Sequence, residues 1–355
     1  MEEFRMKLRI KTLTPIWTGD VERKSTNLRE TGIIGSLRWW FESLVRGFGG
    51  NACDPASDNR CPDEDGRHCA VCELFGCTGW AKKFRLEIES SNLAYIPEIK
   101  LRTREKRNAK YLTRNVAGFM GEIILKFIPL RKICSNKWAL LNKTLDVIAN
   151  YGGLGARTSQ GNGVIKITEN NLPYTDKNPC EFELLNRGKK ADTPNLANFF
   201  FYKFHLEFSK TLSELIEENV FWTHQKDDLT FSDDFQKWKE VWERYHFLPI
   251  AFHVRDSIRR LEGDKSKRHN IFGDSKKGSR IFVSHGYRYN EKTVEVRIWG
   301  YDVEESIKNK IKKKLEERLK EHLFSEKKYS NLLENCKLIE ERSGKDILSG
   351  DENGV

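Results

Sequence analysis

The sequence predicts an α+β protein built from two copies of one strand–helix–strand–strand–helix–strand unit. The chain has 355 residues, a length that favours two domains. A short repeat supports the same division. Residues 73–78 (ELFGCT) precede a predicted strand at 84–88, and residues 270–275 (NIFGDS) precede another at 280–284. Two such units predict two tandem ferredoxin-like (RRM-like) domains, each an antiparallel sheet with helices on one face.

Hydrophobic periodicity predicts each element of the first unit in order. Its strands show alternating or continuously apolar residues, and its helices show apolar residues at helical spacing. The predicted elements are a strand at 7–13, a helix at 32–47, strands at 84–89 and 121–129, a helix at 138–148 and a strand at 164–167.

The second unit follows a polar connector at 168–198 and shows the same periodicities. Its predicted elements are a strand at 199–208, a helix at 234–262, a hairpin of strands at 280–289 and 293–299, a helix at 304–324 and a short strand at 337–340. We therefore place the N-terminal domain at 1–170 and the C-terminal domain at 171–342. The polar residues 343–355 are predicted to be a disordered tail.

The composition narrows the class of partner. The formal net charge is +10, which favours an anionic partner such as nucleic acid, an anionic membrane or an acidic protein. The N-terminus has no apolar signal-peptide region, and no stretch is long enough to cross a membrane. We expect a soluble, cytoplasmic protein without a membrane partner, whose eight cysteines are reduced.

A cysteine-rich insertion at residues 51–77 interrupts the first unit. Cys53, Cys61, Cys69 and Cys72 follow the spacing C-x7-C-x7-C-x2-C, and the last pair forms a knuckle of the kind that tetrahedral zinc uses. The segment is too polar to form its own core, so a structural zinc would supply the missing folding energy. Unligated cysteines, or a loop ordered by a partner, are the alternatives.

A glycine-rich loop at residues 151–163 (YGGLGARTSQGNG) lies between a helix and a strand. A dinucleotide fingerprint or a P-loop needs the opposite order, so this loop does not predict a nucleotide cofactor. Five glycines let a polyanion approach the main chain closely, although an elaborate helix-to-strand connection would also need some of them. We predict that the loop contacts RNA through Gly153, Gly155, Arg157, Ser159, Gln160 and Asn162.

Basic residues elsewhere extend this predicted surface. Residues 100–114 carry seven lysines and arginines against one acid, Glu105, a ratio that favours phosphate contacts over an ordinary solvated face. The first helix carries Arg38, Arg46 and Trp39 on its polar side, where Trp39 could equally pack under a loop. The predicted RNA contacts outside the loop are Arg38, Trp39, Arg46, Arg102, Arg104, Arg107 and Lys110.

Four motifs together carry a family resemblance: residues 13–15 (LTP), 33–40 (IIGSLRWW), 72–76 (CELFG) and the glycine loop. The chain resembles the RAMP superfamily of CRISPR-associated proteins, and most closely the first subunits of the Cmr (type III-B) RNA-guided effector complex. The resemblance implies a tandem ferredoxin-like protein that binds guide or target RNA, as single strands, among the other Cmr subunits in antiviral defence.

The leading hypothesis is a non-catalytic RNA-binding subunit without catalytic residues. The alternative is a metal-independent, RAMP-type endoribonuclease that processes guide RNA precursors, for which His253 and His269 are the least implausible acid–base groups. A third hypothesis is a protein–protein scaffold whose basic charge meets an acidic partner.

Overall fold

The computed structural model describes residues 6–22, 24–107, 110–173, 188–218, 230–274, 277–322 and 331–350, and the side chains of residues 91, 97–115 and 230–237 lie outside this description. Its strands are β1 (Met6–Thr12), β2 (Phe84–Arg107), β3 (Lys110–Pro129), β4 (Ile165–Asn170), β5 (Phe199–Phe208), β6 (Phe247–Leu248), β7 (Ile281–Val283), β8 (Gly286–Arg288), β9 (Thr293–Tyr301) and β10 (Leu333–Ser343). Its helices are α1 (Glu30–Gly47), α2 (Ala70–Phe75), α3 (Ser135–Tyr151), α4 (Leu212–Glu217), α5 (Thr230–Tyr245), α6 (Ala251–Arg259), α7 (Lys265–Phe272), α8 (Glu305–His322) and α9 (Gly344–Ser349).

The first sheet has the strand order β2-β3-β1-β4, with antiparallel pairing throughout. Helices α1 and α3 connect β1 to β2 and β3 to β4 along the chain. Leu8 and Ile10 of β1 are fully buried and share a core cluster with Leu37 and Leu145 of these helices. This is the antiparallel sheet with helices on one face that the sequence predicts.

The second sheet repeats the arrangement with additions. Its order is β10-β5-β9-β8-β6, and β7 also pairs with β9. Phe200, Tyr202 and Phe204 alternate along β5 and enter a core with α6 and α8. The α+β prediction of two tandem ferredoxin-like units is therefore confirmed.

The two units share a seam in which α1 and α3 lie between the sheets. Phe199 and Phe201 point from β5 to the side opposite α6 and α8, and both belong to the core cluster of the first sheet. Phe201 packs edge-on against Tyr151 at the end of α3, with ring centroids 5.2 Å apart. Arg297 of β9 donates a 2.7 Å hydrogen bond to the Ala149 carbonyl of α3. The layers thus run sheet, helices, sheet, helices.

The structure differs from the sequence prediction in several places: β2, β3 and β10 are longer than predicted, α4 and α7 were not predicted, and the strand predicted at 280–289 is divided into β7 and β8. Residues 344–349, predicted within a disordered tail, form α9, because Ser343 and Asp346 make a capping box and Ile347 is buried. The single helix predicted at 234–262 is divided into α5 and α6 by the short strand β6. Across the described residues, no helix combines the length and apolarity needed to cross a membrane.

Candidate nucleic-acid interface and cysteine cluster

The described residues of the basic run, 100–107 and 110–114, lie at the far end of a long pair of strands, the hairpin formed by β2 and β3. The register pairs Leu101 with Arg114, Arg102 with Thr113 and Arg107 with Lys110. The backbone of Arg104 also belongs to β2, but the side chains of all these residues lie outside the described part of the structure. Lys100, Arg102, Arg104 and Lys106 recur every second residue, which is the period of a strand and a signal for this hairpin in the sequence.

The hairpin crosses from the first sheet to the second domain. Ile96 of β2, with Val116 and Met120 of β3, belongs to the core that contains Trp238 and Trp242 of α5. Tyr95 remains 48% exposed, and its ring lies 5.3 Å from that of Phe119 between centroids. Tyr95 was not predicted as a base-stacking residue, because a single tyrosine carries no periodic signal.

The face of the first sheet away from its helices carries charged pairs around β1. Arg9 lies 3.3 Å from Glu169 and 3.8 Å from Glu122, and Arg85 lies 2.7 Å from Glu87. RRM domains instead use aromatic side chains on the sheet to stack bases. This face therefore offers ion pairs where an RRM offers aromatic rings.

The glycine loop packs against the rest of the chain on the side of α1. Trp40 donates a 3.0 Å hydrogen bond from Nε1 to the Gly153 carbonyl, and a Cβ on Gly152 would collide with the same ring. Gly155 donates its N–H to the Ser36 hydroxyl at 3.0 Å, and its own Cβ position lies 2.7 Å from the Trp17 carbonyl oxygen. The protein itself therefore makes the close approaches that these glycines permit.

The far end of the loop packs against the second domain. Gly161 has φ of 112°, and a Cβ there would lie 2.6 Å from both Ala251 Cβ and the His285 ring. The Gly161 carbonyl accepts a 3.0 Å hydrogen bond from the backbone N–H of His285. Burial lowers the pKa of His285 to about 3, with a smaller contribution from His253, so His285 is neutral at pH 7. Gly161 is thus required by the interdomain seam.

The polar side chains of the loop differ in their surroundings. Asn162 is only 3% exposed and donates a 2.9 Å hydrogen bond to the Ala117 carbonyl of β3. Arg157 has φ of 57° and stacks over the Trp17 ring at 4.1 Å from the centroid. Ser159 and Gln160 are half-buried in a 3-10 turn at Thr158–Gln160. Arg157, Ser159 and Gln160 keep partial exposure, whereas the Asn162 amide is engaged inside the protein.

The four predicted metal ligands come together. The Sγ atoms of Cys53, Cys61, Cys69 and Cys72 all lie within 4.8 Å of one another, and all four residues are buried. A tetrahedral zinc with Zn–S bonds of about 2.3 Å would separate its sulfurs by about 3.8 Å. Cys53 Sγ and Cys72 Sγ are 3.4 Å apart. The cluster can therefore bind a metal ion after a small adjustment.

The thiols already share protons unequally. Hydrogen bonds from the Cys53 and Cys72 side chains lower the pKa of Cys69, and the hydrogen bond with Cys69 raises the pKa of Cys53 to about 12. A soft metal ion that binds thiolates would resolve this competition by displacing the remaining protons.

Arg38 and Arg46 of α1 point to the cysteine cluster. Arg38 donates from Nη1 to the Gly76 carbonyl at 2.7 Å and from Nη2 to Cys72 Sγ at 3.2 Å. Arg46 is 4% exposed and donates to the carbonyls of Ala52 and Cys53 at 3.1 and 2.9 Å. These contacts occupy Arg46 within the protein and hold Arg38 against the cysteine cluster.

Trp39, the third predicted contact on α1, is half-buried in the seam. Its ring centroid lies 6.1 Å from those of Phe199 and Phe282 and 6.0 Å from that of Tyr301. The packing interpretation of Trp39 thus has direct partners in the second sheet. Sequence reasoning could not identify them, since all three lie at least 160 positions further along the chain.

The fold and these sites define a tandem ferredoxin-like protein with a basic hairpin and a four-cysteine cluster. Residues 9–166 match the sequence model of the RAMP superfamily. This match confirms the family resemblance over nearly all of the first domain. No curated protein matches the chain.

Solved structures show a distant likeness to Cmr proteins. Cmr1 from Pyrococcus furiosus in its apo form is 14% identical, with a TM-score of 0.39 over 84% of this chain and 88% of that one. A chain of the type III-B Cmr-beta complex bound to cognate target RNA is 12% identical, with a TM-score of 0.39 over 89% and 99%. A chain of the type III-B Cmr-beta structure with cognate target RNA and AMPPnP is 11% identical, with a TM-score of 0.39 over 90% of this chain and 99% of that one.

Proposed function

We propose that the chain is a non-catalytic RNA-binding subunit of a CRISPR type III-B (Cmr) effector complex in the cytoplasm. In this role it contacts guide RNA, target RNA or both, beside other Cmr subunits, in antiviral RNA interference. The RAMP match over residues 9–166 supports the family, and the net charge of +10 supports an RNA partner.

The contact between Asn162 and Ala117 is the observation that carries the proposal. It brings the glycine loop against β3, the strand that continues into the basic hairpin tip. Because a strand rises about 3.3 Å per residue, the backbone of Arg114 lies about 10 Å from Ala117. Arg157, Tyr95 and the basic tip can therefore follow one single strand of RNA, with the bases stacking and the phosphates meeting cations.

The proposed RNA contacts differ from those predicted from the sequence by one addition and four omissions. Tyr95 is added because it is exposed beside the hairpin. Arg46 and Asn162 are omitted because hydrogen bonds engage them inside the protein. Trp39 and Arg38 are assigned to packing and to the cysteine cluster.

The surroundings of one predicted acid–base residue support a non-catalytic role. His253, one of the two histidines considered for RNA cleavage, is 3% exposed. General acid–base catalysis needs a group within hydrogen-bond reach of the reacting RNA, which such burial prevents.

The endoribonuclease alternative rests on the other residue, His269. Its Nδ1 lies 3.9 Å from Asp274 Oδ2, a distance at which a protonated imidazole would form an ion pair with the carboxylate. The pair borders a cavity of about 340 Å³ that Lys267 and Lys277 also line. A phosphate could enter between these cations, so RNA cleavage at this site is the second candidate function.

We also propose that the cysteine cluster holds a structural zinc. The four buried thiols match the soft ligands that zinc prefers, and four protein ligands make up the full tetrahedral set of a structural zinc site. The metal would hold the polar insertion at 51–77 against α1.

Titration of the purified protein with single-stranded RNA and duplex DNA at two salt concentrations tests the main proposal. We expect a preference for RNA, weaker binding at higher salt and intact RNA on a denaturing gel. Discrete RNA products lost in His269→Ala would replace the proposal with the endoribonuclease. Absence of binding to either nucleic acid would contradict RNA binding by this chain and favour a scaffold.

A further inference from the structure

We propose that Arg38 is a positioning residue of the cysteine cluster and that it increases the affinity of the cluster for zinc. This inference rests on the proposed zinc. It concerns a residue that the sequence pattern assigned to RNA.

Directed hydrogen bonds hold the Arg38 guanidinium beside the cluster. The Arg38 guanidinium makes three directed contacts: Nη2 with Cys72 Sγ at 3.2 Å, Nη1 with the Gly76 carbonyl at 2.7 Å, and Nε with Glu42 Oε1 at 2.9 Å. Its side chain is 19% exposed, so these contacts are only weakly screened by water. Glu42 thus fixes the orientation in which Arg38 meets the sulfur.

The charge of a zinc-loaded cluster favours a cation beside it. Four thiolates around one Zn²⁺ carry a net charge of −2, and a buried charge without compensation is unfavourable. Arg38 and Arg46 are cationic and Glu42 lies between them, with Arg46 Nη2 3.8 Å from Glu42 Oε2. This row on α1 has one excess positive charge, which faces the cluster through Arg38. Hydrogen bonds from a guanidinium to a thiolate are charge-assisted and therefore strong.

The second domain contains the corresponding phenylalanine–glycine turn, at Phe272 and Gly273, without a cysteine cluster beside it in the sequence. Arg255 of α6 donates to the Phe272 carbonyl at 2.5 Å and to the Ile281 carbonyl at 3.0 Å. Both domains thus use an arginine of a helix that precedes the phenylalanine–glycine turn to hold that turn. Only Arg38 adds a contact with sulfur, and that contact is the basis for a role in metal binding.

Metal affinity of the full-length protein tests the proposal. Zinc affinity is measured by competition with a chromophoric chelator, and Co²⁺ is used as a spectroscopic probe of the thiolates. We expect Arg38→Met to weaken zinc binding by about 10- to 100-fold, the usual effect of losing a group that supports a metal ligand. We also expect it to shift the thiolate-to-cobalt charge-transfer bands, which loss of packing alone would not do.

Matched variants separate this role from a structural one. Arg255→Met removes the equivalent turn contact and should leave both zinc affinity and the cobalt spectrum unchanged. Arg38→Lys keeps the charge and should bind zinc more tightly than Arg38→Gln, which keeps only a neutral donor. This order decides the question even if Arg38→Met does not fold.

Three results would overturn the inference. Zinc affinity and cobalt spectra that are the same in Arg38→Met and the wild type would remove Arg38 from the metal site and leave the zinc proposal intact. Tighter binding by Arg38→Gln than by Arg38→Lys would do the same. A wild-type protein that takes up neither zinc nor cobalt would refute both the zinc proposal and this inference, while RNA binding would stand separately.

Discussion

The glycine loop and the basic hairpin both resemble RNA contacts in the sequence, yet their surroundings in the structure differ. Gly152, Gly153, Gly161 and Gly163 are buried in a seam between α1, the segment after β1 and the second domain. The hairpin continues past the core residues Ile96 and Val116 into a basic tip. Glycine is needed where another group comes close to the backbone. In this loop, the groups that come close are side chains and backbone of the protein itself.

The largest expected effect comes from adding one methyl group to the seam. Gly161→Ala places a Cβ 2.6 Å from Ala251 and His285 at a φ of 112°. We expect the free energy of unfolding to fall by about 3 kcal/mol or more, measured by urea denaturation. Gly35→Ala is the control, because its Cβ meets no atom within 4 Å, and helix propensity should raise stability by about 0.5–1 kcal/mol. A tolerated Gly161→Ala would show that the seam is loose.

The next effect is a pH dependence of the same seam. The pKa of His285 is lowered to about 3, below the value of about 6.5 for an unfolded histidine. Its contribution to stability is therefore complete above pH 6.5 and is lost as the pH falls towards 3, by about 1.4 kcal/mol per pH unit. His285→Asn keeps an acceptor for the Ala251 N–H. Denaturation between pH 7 and pH 5 should show a shallower slope in this variant, and equal slopes would contradict the assignment.

Charge reversal at the hairpin tip tests whether the hairpin contacts RNA. Arg102→Glu/Arg104→Glu should lower the affinity for single-stranded RNA by about tenfold or more and make its salt dependence shallower, because phosphate contacts are lost. Lys313→Glu/Lys314→Glu makes the same change of charge on the exposed face of α8 and is the matched control. Equal losses of RNA affinity in the two variants would show that the net charge of the protein matters and that the position of the hairpin does not.

Tyr95→Ala tests base stacking beside the hairpin. Removal of a stacking ring costs about 1 kcal/mol or more in single-strand binding, so we expect RNA affinity to fall about fivefold. Tyr289→Ala removes a ring that is 60% exposed in the second domain and should leave affinity unchanged. Filter binding at constant salt compares the RNA affinities of the two variants. An unchanged affinity in Tyr95→Ala would contradict base stacking by this residue.

Arg157→Glu should have the smallest effect, since one cation is lost and the remaining track stays in place. We expect about threefold weaker RNA binding and a slope of log affinity against log salt that is shallower by about 0.7. Arg157→Lys keeps the charge but removes the planar stacking on Trp17, so it should retain most of the affinity. A loss as large as that of the hairpin variant would restore the loop as the main contact.

The sequence predicts the order of the elements well because periodicity is local. The alternation of residues 7–13 and the apolar spacing of 138–148 correspond to β1 and α3 within a few residues. The four cysteines were found for a similar reason, since Cys69 and Cys72 form a local knuckle that the fold joins to Cys53 and Cys61.

The sequence could not show what the long-range partners would be. Trp40 lies more than 100 positions before the glycine it contacts, and His285 lies more than 100 after the one it contacts. Arg38, Glu42 and Arg46 recur every four residues on α1, which locates a polar face without saying that cysteines cover it. The prediction that Arg38 and Arg46 contact RNA followed from their positive charge and their place on the polar side of the helix.

Mapping of RNA cross-links tests the central claim, that the hairpin meets RNA, most directly. The full-length protein is irradiated with single-stranded RNA containing 4-thiouridine, and the cross-linked peptides are identified by mass spectrometry. We predict cross-links in the segment at 95–115, which includes Tyr95 and Tyr111, and their loss in Arg102→Glu/Arg104→Glu. Cross-links confined to α7 or to the outer face of the first sheet would contradict the account.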